Sequence, residues 1–258
     1  MTSPTVTDIN VPFPEAEGLH LRLSVGACRL RIVPADGVAW VAGTYEDPST
    51  AAPLRISQDG ATVRISQDFN IPTTLGGMTK APTFDLKLGK GKPYRLTVEG
   101  GASESEMDLG GLPLHGLAVK FGAGKQEFNF SSPNPEAMDE ITVSAGAAGI
   151  EMENLANANF ERMVLEGGAA AFELDFGGEL RRDAAVKITT GMASVEVDVP
   201  SATPIRLSAE ATLGSVDVGD GFMKKDGAFW NEAALSGKTP AITMTAQVVM
   251  GAIQLEQK

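Results

Sequence analysis

The feature that most constrains the fold is a phrase the chain repeats. Alternating apolar residues run into a Gly-Ala pair, and a second alternating run follows. It reads Leu23-Ser24-Val25-Gly26-Ala27 near the start. It returns as Leu96-Thr97-Val98 before Gly101-Ala102, as Val119-Lys120-Phe121-Gly122-Ala123, and as Val143-Ser144-Ala145-Gly146-Ala147. It recurs once more as Val164-Leu165-Glu166-Gly167-Gly168-Ala169, and looser copies surround Gly191, Gly214 and Gly251. From Gly101 to Gly214 the glycines stand 21, 24, 22, 23 and 23 residues apart, and Gly251 follows 37 residues later. A near-constant period of this size marks stacked units, none of which can bury its apolar face alone.

The repeating unit is made of strands. Phe128-Asn129-Phe130, Phe172-Glu173-Leu174-Asp175-Phe176 and Val195-Glu196-Val197-Asp198-Val199 alternate with period two, so one face of each is buried. Helical periodicity is nearly absent; Pro133 to Glu140 is expected to form at most one helical turn. A coil of about 21–24 residues must turn corners. Glycine there tolerates positive φ and lets neighbouring coils approach closely. The expectation is an all-β, single-stranded β-helix, a solenoid with capping inserts at both ends.

Residues 1–16 read as an N-terminal tail and 17–258 as one elongated domain. Within it, 17–95 are irregular coils and a cap, 96–218 regular coils, 219–240 an excursion, and 241–258 a final coil. Gln58-Asp59-Gly60 is a hairpin signal between Leu54-Arg55-Ile56 and Val63-Arg64-Ile65. Residues 66–93 read as a loop plus a hairpin covering the end of the stack. The excursion, carrying Phe222, Met223, Phe229 and Trp230, is expected to cap the other end, because an open end exposes unpaired backbone.

Charge and composition remove several functions. A formal charge of −12 with no Lys/Arg cluster opposes nucleic-acid binding and docking on anionic lipid. The lone cysteine, Cys28, excludes an internal disulfide framework and shares the parity of Leu30 and Ile32, as a buried small hydrophobe would. No signal peptide or run of about 18 apolar residues is visible, so the expected location is cytoplasmic, without direct membrane insertion.

The chain resembles a bacterial group, the toast-rack domain and the related C-terminal domain of LiaF-like, cell-wall-active antibiotic response proteins. The resemblance rests on Leu23 to Ala27, the mid-chain Gly-Ala coils, Asp198-Val199-Pro200 before Ile205-Arg206-Leu207, Leu213 to Val218, the Trp230 loop and Val249 to Leu255. It spans most of residues 17–256 and implies a β-helical scaffold associated with envelope-stress regulation. It implies no catalytic residues.

The search for chemistry yields little. His20 points outward between Leu19 and Leu21, and His115 sits in a glycine-rich turn; neither has metal-ligand spacing around it. No Gly-x-Ser-x-Gly elbow appears, and Lys90-Gly91-Lys92 reads as a hairpin turn rather than a phosphate loop. One constellation follows from the register. Outward positions after each corner are Glu106 and Asp108, Glu127 and Asn129, Glu151 and Glu153, Glu173 and Asp175, Glu196 and Asp198, and Asp217. Their inward neighbours are Met107, Phe128, Met152, Leu174, Val197 and the pair Val216 and Val218. Stacked in register about 4.8 Å apart, the carboxylates form two columns. Each like pair repels by about 0.9 kcal/mol in water before screening.

Three roles fit such columns: a solvated face that resists aggregation, a docking face for a basic protein partner, or weak divalent-cation binding between rungs. The function expected is a non-enzymatic scaffold or protein-interaction module with no cofactor. The alternatives are a self-assembling β-helix, which capped ends oppose, and a carbohydrate-active β-helix enzyme. The acidic columns read as lacking the basic partners that such an enzyme needs.

Overall fold

The computed structural model describes residues 5–37, 39–48, 53–67 and 81–258. The alternating runs are strands throughout. The chain opens with β1 (Thr5–Pro12), β2 (Leu19–Val25), β3 (Arg29–Ala35) and β4 (Ala39–Asp47). Next come β5 (Leu54–Asp59), β6 (Thr62–Gln67), β7 (Thr83–Gly89), β8 (Tyr94–Ala102) and β9 (Glu104–Asp108). From there each winding is one long strand bent at its glycine: β10 (Leu114–Asn129), β11 (Met138–Glu153), β12 (Phe160–Asp175), β13 (Ala184–Val199) and β14 (Ile205–Val218). The short β15 (Phe222–Lys225), β16 (Ala228–Asn231) and α1 (Glu232–Leu235) precede the last strand, β17 (Ile242–Gln257).

Every winding contributes one segment before its corner and one after, and the segments line up as the two halves of one continuous hydrogen-bonded sheet, a first and a second sheet that meet along the corner. The pairing between windings is parallel, as in β10 with β11, β11 with β12 and β12 with β13. A third side consists of turns. Apolar side chains of alternate residues fill the space between, as the period-two pattern predicts: Met107, Phe128, Met152, Leu174, Val197 and Leu255 are all at most 2% exposed. This is the expected all-β solenoid.

The order of windings is not the order of the chain. Near the start, β2 and β3 lie between β6 and β7 on one side and β8 and β9 on the other. Near the end, β17 is inserted between β13 and β14. Gly214 and Gly251 therefore belong to adjacent windings, with Gly251 nearer the middle of the stack. The 37-residue interval is the offset of that pairing, not a longer coil.

The glycines at the corner serve one purpose, close approach. None of Gly101, Gly122, Gly146, Gly168 and Gly191 has positive φ. A Cβ on Gly122 would lie 2.9 Å from the carbonyl oxygen of Gly101. One on Gly146 would lie 2.5 Å from that of Gly122, and one on Gly191 3.0 Å from that of Gly168. Each glycine thus packs on the backbone of the glycine before it. Gly214 and Gly251 stand in a different column, aligned with Ala193. The first column ends where Val249 follows Gly191, since their neighbours Thr190 and Val248 are paired.

Several expectations on the periphery are corrected. Residues 5–12 are not a tail: β1 pairs antiparallel with β4, and Ile9 and Val11 are buried. The hairpin β5–β6 forms as Gln58-Asp59-Gly60 signals, with Gly60 at φ +55°. Thr83 to Gly89 form no hairpin; β7 pairs parallel with β3 as part of a winding, and antiparallel with β4. The expected loop at Asn70 to Gly77 lies outside the described residues. Lys90-Gly91-Lys92 connects β7 to β8, strands of different sheets, so it is a step between windings and not a hairpin turn. Pro133 to Ala137 contain no helix; the nearest helical turn is a 3-10 turn at Leu155–Ala158.

Asparagines secure the turns of the third side. Buried Asn134 donates to the carbonyls of Leu114 (2.8 Å) and Ala158 (3.2 Å) and accepts from the Leu114 amide. Asn157 donates to Phe130 O (2.9 Å) and accepts from the Glu179 amide, and Asn231 links Thr203 and Ile205 in the same manner. Turn backbone leaves the ladder, so its buried polar groups need such partners.

Candidate functional site

The outer face of the second sheet carries the carboxylates. Glu106 pairs in register with Glu127, Glu127 with Glu151, Glu151 with Glu173, and Glu173 with Glu196. The row is unbroken over five windings. Its continuation is not Asp217, because inserted β17 puts Gln254 between Glu196 and Asp217. The second row is more interrupted. Asp108 meets Asn129, Asn129 meets Glu153, and Asp175 meets Asp198, whose next neighbour is Glu256. Asn129 accepts from Asn154, and Asp108 accepts from the Ser131 hydroxyl at 2.7 Å.

Cations accompany the rows, contrary to the expectation that they have no basic partners. Lys125 bonds Glu127 and lies 3.2 Å from Glu151. Hydrogen bonding to Glu127, then Glu151, holds its ammonium well above the usual lysine range. Lys258 reaches Asp198 at 2.5 Å and Asp175 at 3.3 Å, and its pKa is raised chiefly by the bond to Asp198. Arg31 stands beside Glu106 in register and contacts Asp85 at 3.5 Å. Lys125 thus neutralises the middle of the first row, Arg31 stands at its Glu106 end, and Lys258 serves the second row. Among the described residues, Glu173 and Glu196 at the far end of the first row have no ion-pair or hydrogen-bond partner, and both are exposed.

Sequence reasoning missed a second feature. An open groove of about 820 Å³ runs along the outer side of the corner, over the glycine column. Its walls include Glu99, Lys120, Ser144, Glu166 and Thr189 from successive windings. The groove exists because glycine leaves the corner without side chains, a signal present in the repeat itself.

Other candidates resolve as structure. Cys28 is buried, and burial pushes its thiol up to about 12, so it is a neutral thiol at physiological pH. His20 is half-buried, with Nε2 2.8 Å from Thr97 Oγ1. Burial, then Arg22, Arg95 and Arg64, lower its pKa. His115 is exposed within β10 rather than in a turn. Among the described residues, no group of three or more His, Cys, Asp or Glu could hold a metal ion, and no helix is long and apolar enough to cross a membrane.

Parallel windings, a small-residue corner and ordered outer rows define a repeat protein of the single-stranded β-helix class. The chain belongs to the toast-rack N-terminal family: residues 2–153 match the N-terminal domain of toast_rack, DUF2154. No curated protein matches it. Among solved structures, it is similar to a candidate cell adhesion protein from Clostridium sporogenes at 19% identity and a TM-score of 0.57. That match covers 99% of this chain and 100% of the other. A candidate adhesin from Bacteroides fragilis is similar at 11% identity and a TM-score of 0.48, over 99% and 98% of the two chains. The first likeness supports the all-β fold over the full length.

Proposed function

We propose that this protein is a non-enzymatic interaction module whose second sheet offers its carboxylate row to a basic protein partner. The observation that carries this reading is the unbroken series Glu106, Glu127, Glu151, Glu173 and Glu196, with unneutralised charge at its Glu173–Glu196 end. Like charges one strand apart destabilise a sheet, and a basic surface would relieve that repulsion on binding. The family supports a scaffold role, and the Clostridium neighbour, described as a candidate cell adhesion protein, is in keeping with it. By its resemblance to LiaF-like proteins, the partner belongs to envelope-stress regulation, and the module works in the cytoplasm.

Capture experiments test the docking face. Immobilised full-length protein and a Glu151→Gln, Glu173→Gln, Glu196→Gln variant are exposed to lysate from cells stressed with a cell-wall-active antibiotic. The expected outcome is a salt-sensitive partner retained by the unaltered protein and lost by the variant. Equal retention by both would exclude the row as the contact. Fractionation of the source cells checks the compartment.

A further inference from the structure

The excursion does not close its end of the stack. Only Arg206 and Leu207 of β14 pair with it, through Trp230 and Phe229 of β16. From Ser208 to Val218 the outer side of β14 has no strand partner among the described residues, and none of these residues is buried. The inward side chains show the same incompleteness. Val195, Val197, Ile253 and Leu255 are at most 1% exposed, yet Val216 and Val218 in the same columns are only partly buried. The core pattern continues to a layer that the chain does not fill.

A large apolar patch adjoins this edge. The exposed corner column holds Ala102, Ala123 and Ala169 in the middle of the stack, and Met192, Met250 and Leu213 at this end. These three are 56%, 47% and 60% exposed, and neighbouring Val249 is 57% exposed. Long edges are ordinarily blunted by lysine, proline or inward-pointing charge, and Ser208 to Val218 contain none of these.

We propose that the β14 edge from Ser208 to Val218 receives an extended segment of another protein as an added strand, with lysine or arginine on its outward positions, small apolar residues on its inward ones, and one extra apolar residue at the corner, where β13 and β17 shift their alternation in the same way. The apolar residues cover Val216, Val218 and Leu213. The cations lie beside Glu210 and Asp217, the charged residues of the edge. Charge decides against a second copy. Two-fold antiparallel pairing of β14 with itself brings the acidic pair of one copy toward that of the other, in chains that each carry −12. Main-chain hydrogen bonds supply affinity in strand addition, and alternate side chains supply the choice of partner. This site goes beyond the carboxylate-row reading and stands without it.

The test uses the full chain and a synthetic peptide of alternating valine and lysine, as long as the edge and with one extra valine at the corner position, with the matching valine–glutamate peptide as control. Amide hydrogen exchange is followed by residue. The lysine peptide should slow exchange of alternate amides within 208–218 by at least about tenfold, and the glutamate peptide should not. Charge reversal by Glu210→Lys with Asp217→Lys should exchange these preferences, which a folding defect could not produce. Protection should persist in the Glu151, Glu173, Glu196 glutamine variant, separating this site from the row. The proposal is overturned by unchanged exchange at 208–218, by equal binding of both peptides, or by protection confined to the carboxylate row. Protection that rises with protein concentration alone would make the occupant a second copy and overturn it too.

Discussion

Gly146→Ala tests whether the corner glycines are a packing requirement. The new Cβ would stand 2.5 Å from the carbonyl oxygen of Gly122, closer than real Cβ contacts come, and the atom it meets is backbone. Gly146 is not at positive φ, so alanine meets no conformational penalty there, only the clash. Relief requires adjacent windings to part at the corner, which stretches the ladder bonds beside it. Overpacking of this sort costs about 1–3 kcal/mol. Gly149 lies in the same strand, also without positive φ, and a Cβ there meets nothing within 4 Å. Gly149→Ala should therefore be neutral or stabilise by about 0.4–1 kcal/mol through the unfolded chain. For a chain of this size, 1 kcal/mol corresponds to roughly 2–4 °C in Tm. Thermal and urea melts followed by far-UV circular dichroism should show Gly146→Ala lower by roughly 2–12 °C, and Gly149→Ala unchanged or higher. Equal effects at the two positions would refute the close-approach argument.

Other outcomes follow from individual groups. Cys28, with its thiol raised to about 12, should resist alkylation in the folded protein and react at once in urea. The unfolded thiol ionises near its ordinary value and the folded thiol does not, so stability should fall as pH rises from about 9 toward 12, by up to about 1.4 kcal/mol per unit. Tyr45, raised to about 12 mainly by burial, adds to that fall. Cys28→Ala should flatten the profile, and an unchanged slope would remove the thiol as its source. Glu173→Gln with Glu196→Gln should raise the urea midpoint slightly in low salt and not in high salt, since a like pair in water repels by about 0.9 kcal/mol; a lowered midpoint would show that these carboxylates are partnered. Lys125→Met should lower the midpoint in low salt. Because the lysine pKa is raised on folding, the difference is full at neutral pH and is lost as pH climbs through and beyond the ordinary lysine range; persistence at high pH would rule out the charge pairing.

The regular part of the fold was legible because two periods coincide. Alternation fixes which side chains point inward, and the recurring glycine fixes where each winding bends, so Met107, Phe128, Met152, Leu174 and Val197 could be placed in one layer before any coordinate was known. The same logic aligned Glu106 through Glu196. Winding order was not legible, because parallel strands of similar pattern are interchangeable locally. Nothing in Val249 to Leu255 says that it slots between β13 and β14. That depends on how the 219–241 segment routes the chain. The partners of the carboxylates escaped for a related reason. Lys125 stands two residues before Glu127 in its own strand and could have been found by alternation, but Lys258 meets Asp175 only through the insertion of β17. The turn asparagines Asn134, Asn157 and Asn231 were hidden because a single buried amide in a turn leaves no hydrophobic signature.

The insertion of β17 also determines what kind of edge the stack presents. Had the windings followed chain order, β17 and not β14 would lie at the edge. Instead the edge strand lies in mid-chain. At one end β14 follows a turn in which Thr203 donates to Pro200, and Ile205 is tied to Asn231. At the other, the Gly219 amide donates to Leu255. Its inner side is bonded to β17 from Ile205 to Val218. An edge fixed in this way is already extended before anything binds, so an incoming strand bears only its own ordering entropy. The same fixation leaves the exposed backbone groups without an internal way to be satisfied, since β14 cannot fold back on itself. The topology therefore keeps an open edge that is held at both of its ends and along its inner side.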